Sequence, residues 1–314
     1  MARRYCLAID LGGTQLRAAL VDAAGQLHHR KSVRTAPAKE AVEIVDQMAD
    51  LARQVLAGCG ADEVESVGLC SPGPLDVEEG RIISVYTIPS FIDVPIVKLL
   101  EARLPYRVHL ENDGVAAAAG EWKHGAGQGV RSMVYITVST GIGGGIIADG
   151  QVLYGRKGLA GHVGHIKIEA NGRRCGCGNP GCWEAYASGT FWAQTAQAAA
   201  AGRSDTLLGQ NGATIDPPAI FAAANMGDRL ARQLVAEEAD YLGIGIVSLL
   251  HLLSPEVIVM GGGVMNGFDQ LIGGIRQRVE ADAMPAFRAV PIRKAALGGD
   301  SGLVGAAMLA FGRA

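Results

Sequence analysis

The chain is poor in aromatic residues, in net charge and in long apolar runs, and each shortage removes a class of function. Phe, Tyr and Trp make up 5% of its 314 residues, and the formal charge is −3. Such a chain offers no basic face to a nucleic-acid backbone, which is bound mainly through Lys and Arg. No apolar stretch approaches the ~20 residues that cross a bilayer as a helix, so no membrane partner is expected. Tyr5-Cys6-Leu7-Ala8-Ile9 begins a strand-like run at once, which leaves no space for a cleavable signal and points to a cytoplasmic protein. No GxxxxGK[ST] string occurs, and that excludes a P-loop.

Glycine and small apolar residues are plentiful. With 44 glycines, 12 prolines and 49% hydrophobic residues, the composition is that of a globular α/β protein with many tight turns. The length allows two domains, each with its own core. Cys6, Cys59 and Cys70 are scattered through apolar segments and read as small core residues.

The other three cysteines are clustered. Cys175, Cys177 and Cys182 fall within eight residues of GLAGHVGHIKIEANGRRCGCGNPGCWE, the stretch Gly158 to Glu184. The surrounding Gly, Asn and Pro forbid a helix or a long strand, so the thiols converge in a tight loop. With His165 they form the Cys₃His set of a closed structural Zn²⁺ site. The alternatives are a disulfide loop, disfavoured by a cytosolic setting, and chance thiols, disfavoured by the short spacing. His162 and Glu184 flank the ligands and either present an imidazole and a carboxylate to a small ligand or merely brace the loop.

Two glycine hairpins organise the rest. Tyr5–Ile9, Asp10-Leu11-Gly12-Gly13-Thr14 and Leu16–Val21 read as strand, tip and return strand. Backbone N–H groups at such a tip can approach phosphate oxygens, with Asp10 holding Mg²⁺ through water, or the tip is a plain turn. The pattern recurs as Val134–Val138, a turn from Ser139 through Thr140 and Gly141 to Gly145, and a return strand from Ile146. Two such hairpins suggest a duplicated nucleotide-binding architecture.

Between them, a helix is predicted over Glu40–Leu56, with Val42, Val45, Met48, Ala52 and Val55 at helical spacing. A buried strand over Val64–Cys70 ends in Ser71-Pro72-Gly73-Pro74, a turn at the strand end where α/β sheets bind ligands, or simply a strand breaker. Arg107–Leu110 leads through Glu111-Asn112-Asp113-Gly114 into a helix from Val115 to Trp122. Local sequence favours Asp113 as an N-cap, and a carboxylate there can also take a proton from a substrate hydroxyl. Further helices are predicted over Phe191–Ala201, Pro218–Ala224 and Asp228–Leu253. A strand over Pro255–Met260 then ends in Gly261-Gly262-Gly263, where an adenine or ribose could approach the backbone, or which equally serves as the turn at a helix N-terminus. Ser301–Phe311 reads as a small-residue helix suited to a sheet edge.

DLGGT, END, VSTGIGGG, GHVGH with CGCGNPGCWE, and VIVMGGGV, in that order over essentially the whole chain, resemble the ROK family of sugar kinases and repressors. The resemblance implies the two-domain actin-like ATPase fold (ribonuclease H-like, hexokinase-type) with an interdomain active-site cleft. Its smaller α/β domain would be residues 1–115 plus about 300–314, and its larger one 116–299 with the zinc loop 165–182. It further implies Asp113 as the base that takes the proton from the C6 hydroxyl of a hexose. Gly73, Asn112, His162, His165 and Glu184 would line the sugar, and His165, Cys175, Cys177 and Cys182 would hold zinc. Asp10, Gly12, Gly13, Thr14, Thr140, Gly141, Gly261, Gly262 and Gly263 would form the ATP site with Mg²⁺. A homodimer or homotetramer is the common assembly of such proteins.

Two positions depart from the commonest family pattern. His162 stands where most of these kinases have glutamate, and Ser90-Phe91 stands in a shortened loop where they have Asn-Leu; both positions line the sugar pocket in relatives. GLAGHVGH is similar to bacterial N-acetylmannosamine kinases, which favours that sugar over glucose. The repressor branch carries a helix-turn-helix ahead of the hairpin, which here starts at Tyr5, so DNA binding is not expected. A non-catalytic sugar-binding relative would lack the base, yet Asp113 is present.

Overall fold

The computed structural model describes residues 4–36, 38–59 and 63–312. The chain divides into two compact units. The first is Met1–Arg131, Gly145–Gly161 and Ala295–Ala314, and the second is Ser132–Gly144 and His162–Lys294. The boundary expected near residue 115 would fall inside a helix that belongs wholly to the first unit.

In the first unit, β1 (Tyr5–Leu11), β2 (Gln15–Asp22) and β3 (Leu27–Arg34) form an antiparallel meander. Helix α1 (Ala41–Leu56) follows, then β4 (Val64–Ser71), a small sheet of β5 (Leu75–Asp76), β6 (Arg81–Ser84) and β7 (Ile92–Val94), α2 (Ile96–Glu101), β8 (Val108–Asn112) and α3 (Asp113–His124). The main sheet has the order β3-β2-β1-β4-β8, with β1, β4 and β8 parallel. Strand β1 is apolar from Cys6 to Ile9 because both its faces are covered, and Asp10 breaks the run near its carboxyl end. Leu7, Ile9 and Leu11 pack with Ile44, Val45, Met48 and Val55 of α1, and Cys6 and Ala8 pack with Leu303, Ala307 and Ala310.

Helix α1 forms as its periodicity predicts, and the Glu43 carboxylate accepts the Glu40 N–H at 3.1 Å to close its first turn. Val42 is 50% exposed, however, and Ile44, Ala49 and Leu51 complete the buried stripe instead. The last helix, α9 (Ser301–Phe311), lies on the face of the sheet rather than at its edge. A Cβ at Gly68 of β4 would strike the Ala306 backbone, and one at Gly305 the Ala116 carbonyl, so glycine permits the close approach of strand, α3 and α9. Glu121 of α3, fully buried, accepts the N–H groups of Ala126, Ala296 and Leu297 and the Ser301 hydroxyl at 2.8–2.9 Å, which ties α3 to the start of α9.

The second sheet repeats the plan. β9 (Met133–Val138), β10 (Ile142–Ala148) and β11 (Gln151–Val152) are followed by α4 (Glu184–Ala187), α5 (Gly189–Ala200), α6 (Pro217–Asn225), α7 (Arg229–Leu253), β12 (Val257–Gly261), α8 (Phe268–Asp282), β13 (Ile292–Lys294) and α9 (Ser301–Phe311). The order β11-β10-β9-β12-β13 matches that of the first sheet, again with a parallel run, here β9, β12 and β13. The two sheets in sequence, with helices between parallel strands, are the actin-like ATPase fold.

One detail differs from the sequence reading. The return strand of the second hairpin starts at Ile142, so Gly143, Gly144 and Gly145 lie in β10 and not in the turn. Gly145 is required for packing, because a Cβ there would meet the Gly114 carbonyl at 2.7 Å and Val115 Cα at 2.9 Å. In the second unit Val134, Ile136, Val138, Ile258 and Met260 share a core with the inner faces of α5 to α8. No helix among the described residues is long and apolar enough to cross a membrane.

Candidate functional site

Parallel pairing gathers the polar residues of the first unit at one end of its sheet. The register sets Asp10 opposite Cys70, Cys70 opposite Glu111 and Ser71 opposite Asn112, so Asp10, the Ser71–Pro74 turn and Asp113 all stand at the carboxyl ends of β1, β4 and β8. That is the ligand-binding end of such sheets. Asp10 Oδ1 accepts the Cys70 thiol at 3.6 Å and Oδ2 accepts Arg17 Nη1 at 3.3 Å. Burial pushes the Asp10 pKa up to about 6; Arg17 opposes this, while the charges of Asp113 and Asp300 add to it.

Arg17 escaped the sequence reading, although its signal was there. It is the direct partner of Asp10 across the hairpin and also donates to the Gly299 carbonyl at 2.6 Å. The tip between them is braced. Gly12 N–H donates to Gln15 O at 3.0 Å, Thr35 Oγ1 to Gly12 O at 2.7 Å, and Thr35 N–H to Thr14 O at 3.1 Å. A Cβ at Gly13 would strike Thr87.

At the start of α3 the cap is Asn112 and not Asp113. Asn112 Oδ1 accepts the N–H groups of Gly114 at 3.0 Å and Val115 at 3.3 Å, while Asp113 occupies the first helical position and its Oδ1 accepts the Gly114 N–H at 2.8 Å. Gly73 adjoins them, since a Cβ there would come within 3.5 Å of Asn112 Nδ2. Phe91 is fully buried in the first unit's core, and the Ser90 hydroxyl donates to Lys39 O at 2.8 Å. Packing, rather than ligand contact, accounts for Phe91.

In the second unit the cysteine loop converges as its composition requires. Cys175 N–H donates to Asn179 O at 2.9 Å and Gly178 N–H to Cys175 O at 3.0 Å, and Arg174 and Lys167 bridge to Pro180 and Cys182. Ligand atoms of His165, Cys175, Cys177 and Cys182 lie within 4.8 Å of one another. Cys175 Sγ stands 3.8 Å from His165 Nδ1, and Cys177 Sγ 3.7 Å from Cys182 Sγ. The edge of a tetrahedron with Zn–S bonds of about 2.3 Å is about 3.8 Å, so donor set and spacing both fit that ion. Burial raises the thiol pKa of Cys175 and of Cys182. The loop is anchored by Trp183, which is fully buried, donates its indole N–H to Tyr241 O at 2.8 Å and lies against α7 where Gly245 leaves room for its ring.

Glu184 joins this loop to the second glycine hairpin. Its Oε2 accepts the Ile142 N–H at 2.9 Å, its Oε1 accepts the Cys175 thiol at 3.2 Å, and a Cβ at Gly141 would strike the carboxylate. The ring of His162 stacks on that of His165, with centroids 6.3 Å apart and planes at 25°. Thr140 is exposed at the hairpin tip, where Ser139 N–H donates to Gly141 O at 2.9 Å. Gly261 and Gly262 have a packing reason: side chains there would strike Tyr135 and the Val138 backbone, and Gly262 has φ 90°. Gly263 is open, its nearest neighbour being Ser139 Oγ at 3.9 Å. Thus Thr140, Gly141, Glu184, His162 and the four zinc-ligand candidates gather around one loop and hairpin of the second unit. Asp10, Gly12, Gly13, Thr14, Gly73, Asn112 and Asp113 stand at one sheet end of the first.

The family model described as the ROK family matches residues 6–313. The chain is 34% identical to a glucokinase of Halalkalibacterium halodurans over 98% of this chain and 96% of the relative. It is also 34% identical to an N-acetylmannosamine kinase of Salmonella typhimurium over 98% of each. Among solved structures it is similar to a ROK family glucokinase from Streptomyces griseus in complex with glucose and AMPPNP. That similarity has a TM-score of 0.85 and 34% identity, and it covers 97% of this chain and 98% of the other.

Proposed function

As the chain belongs to the ROK family, we propose that it is an ATP-dependent sugar kinase that phosphorylates the C6 hydroxyl of a hexose or N-acetylhexosamine, N-acetylmannosamine in preference to glucose. The observation that carries this reading is the position of Asp113. Asn112 takes over the helix cap, so capping does not explain why a carboxylate stands at the ligand-binding end of β8. Asp113 accepts the C6 hydroxyl proton, the oxygen attacks the γ-phosphorus, and the bond to the β,γ-bridging oxygen breaks to release ADP.

The remaining residues position and neutralise. Gly73, Asn112, His162, His165 and Glu184 contact the sugar. The N–H groups at Gly13 and Thr14, and at Thr140 and Gly141, approach the phosphates, Gly12 shapes the first tip through its N–H bond to Gln15 O, and Gly261 to Gly263 accommodate the nucleoside. Asp10 has acceptor sites left beyond the Cys70 thiol and Arg17 and would hold Mg²⁺ through water; that ion neutralises charge on the phosphate oxygens. His165, Cys175, Cys177 and Cys182 would hold Zn²⁺, which supplies structure and leaves no open position for a reactant.

Preference for N-acetylmannosamine rests on His162. A neutral imidazole offers one donor and one acceptor and tolerates an acetamido group at C2, whereas a glutamate left without hydroxyl partners would be buried unpaired, at about 1–3 kcal/mol or more. Glucose is the second reading, because glucokinases and N-acetylmannosamine kinases match the chain at equal identity. The proposal is tested by Asp113→Asn, which keeps the shape but cannot accept the proton. Turnover should fall by about 10²–10⁴ with sugar binding retained, and a variant within a few fold of wild type would remove Asp113 from the chemistry.

A further inference from the structure

Between β11 and His162 the chain runs Leu153-Tyr154-Gly155-Arg156-Lys157-Gly158-Leu159-Ala160-Gly161. Gly155, Lys157, Gly158 and Gly161 have φ of 63°, 59°, 78° and 90°. Glycine adopts such values without strain, but Lys157, at φ 59° and ψ 19°, does not. A fourth glycine would suit the backbone better. The position therefore keeps an unfavourable conformation for the sake of a side chain.

That side chain reaches back to β5. Lys157 Nζ donates to Asp76 Oδ2 at 2.6 Å, and the same aspartate, 7% exposed, accepts the Glu79 N–H on Oδ1 at 3.2 Å. The hydrogen bond from Lys157 holds the Asp76 carboxyl below its ordinary range. The backbone is fastened at the same place. Val77 N–H donates to Lys157 O at 3.4 Å, and a Cβ at Gly158 would meet Val77 Cγ2 at 2.7 Å. Order is carried onward by Leu159 N–H to Arg156 O at 3.1 Å and Ala160 N–H to Tyr154 O at 3.0 Å. Two residues later comes His162.

We propose that Lys157 is a positioning residue for the sugar site: its grip on Asp76 restricts the segment that delivers His162 and so sets affinity for the sugar, with no part in phosphoryl transfer. The proposal rests on the assignment of His162 to the sugar. A structural pair of no functional consequence would stabilise the first unit and nothing more, and the two cases separate experimentally.

Lys157→Met keeps length and removes charge, Lys157→Gly relieves the backbone and removes the grip, and Lys157→Arg keeps the charge. The Met and Gly variants should raise the sugar KM about tenfold, on the scale of one hydrogen bond to a charged group, with kcat and the KM for ATP within about twofold of wild type. The Arg variant should recover most of the loss. Lys157→Gly should melt no lower than wild type, because relief of the positive φ offsets the lost ion pair, so its higher KM cannot be ascribed to unfolding. Hydrogen exchange at the amides of residues 158–165 reads the clasp without substrate and should quicken in both the Met and Gly variants. Unchanged exchange there, or an unchanged sugar KM in Lys157→Gly, overturns the proposal, as does a loss spread equally over kcat and both KM values. If the wild type phosphorylates no sugar, the kinase reading fails by itself; the exchange result then decides the clasp, faster exchange upholding it and unchanged exchange overturning it.

Discussion

Glu238, midway along α7, is the least comfortable group in the second unit. It is 1% exposed, and neither carboxyl oxygen has a hydrogen-bond partner among the described residues. Burial pushes its pKa well above the ordinary value of 4.5, with the charge of Arg173 as the opposing influence. An acid whose folded pKa is raised gives its full stability below the unfolded value and loses it as pH rises. From about pH 4.5 up to the raised folded value, each pH unit therefore removes about 1.4 kcal/mol. For a unit of this size that is about 3–6 °C in Tm. Glu238→Leu removes both the titration and the buried polar group, and Glu238→Gln removes only the titration. Calorimetric scans at pH 5, 6, 7 and 8 should show the gap between each variant and wild type widening with pH, with Leu above Gln throughout. A gap that stays constant from pH 5 to pH 8, or a Leu variant that melts below wild type at pH 8, would refute the reasoning.

Protein purified without added metal should carry close to one zinc per chain, and Cys182→Ser should abolish that content and lower the melting temperature of the second unit; a metal-free sample with unchanged melting would contradict the four-ligand site. His162→Glu should shift the ratio of kcat/KM toward glucose and away from N-acetylmannosamine by about tenfold or more, whereas equal loss on both sugars would reduce His162 to a packing residue of the zinc loop.

What the sequence disclosed was mostly local. The cysteine loop is legible because Gly, Asn and Pro leave Cys175, Cys177 and Cys182 nowhere else to go, and both hairpins are legible because strand, glycine tip and return strand are contiguous. The first-hairpin register already contained the Asp10–Arg17 pair, at equal distances from the tip. Choosing between Asn112 and Asp113 as cap needed the end of β8, which pairing with β4 fixes at Asn112. The tie of Glu121 to the start of α9 and the grip of Lys157 on Asp76 were not legible at all, since Ala296 and Asp76 lie 175 and 81 residues away. Strand β3, with its mostly polar sequence, gave no alternating signal, because it is an edge strand with little of its surface buried. Nor could periodicity place α9 on a sheet face. Its small residues suit any close approach, and only Gly68, Gly120 and Gly305 decide which one.

The most direct measurement is ADP release by the wild-type protein, with ATP and Mg²⁺, over a panel of hexoses that includes N-acetylmannosamine and glucose. N-acetylmannosamine should be phosphorylated with kcat/KM at least comparable to that on glucose. Efficient use of glucose with N-acetylmannosamine ignored would contradict the role given to His162, and no sugar-dependent ADP release from any member would contradict the kinase itself.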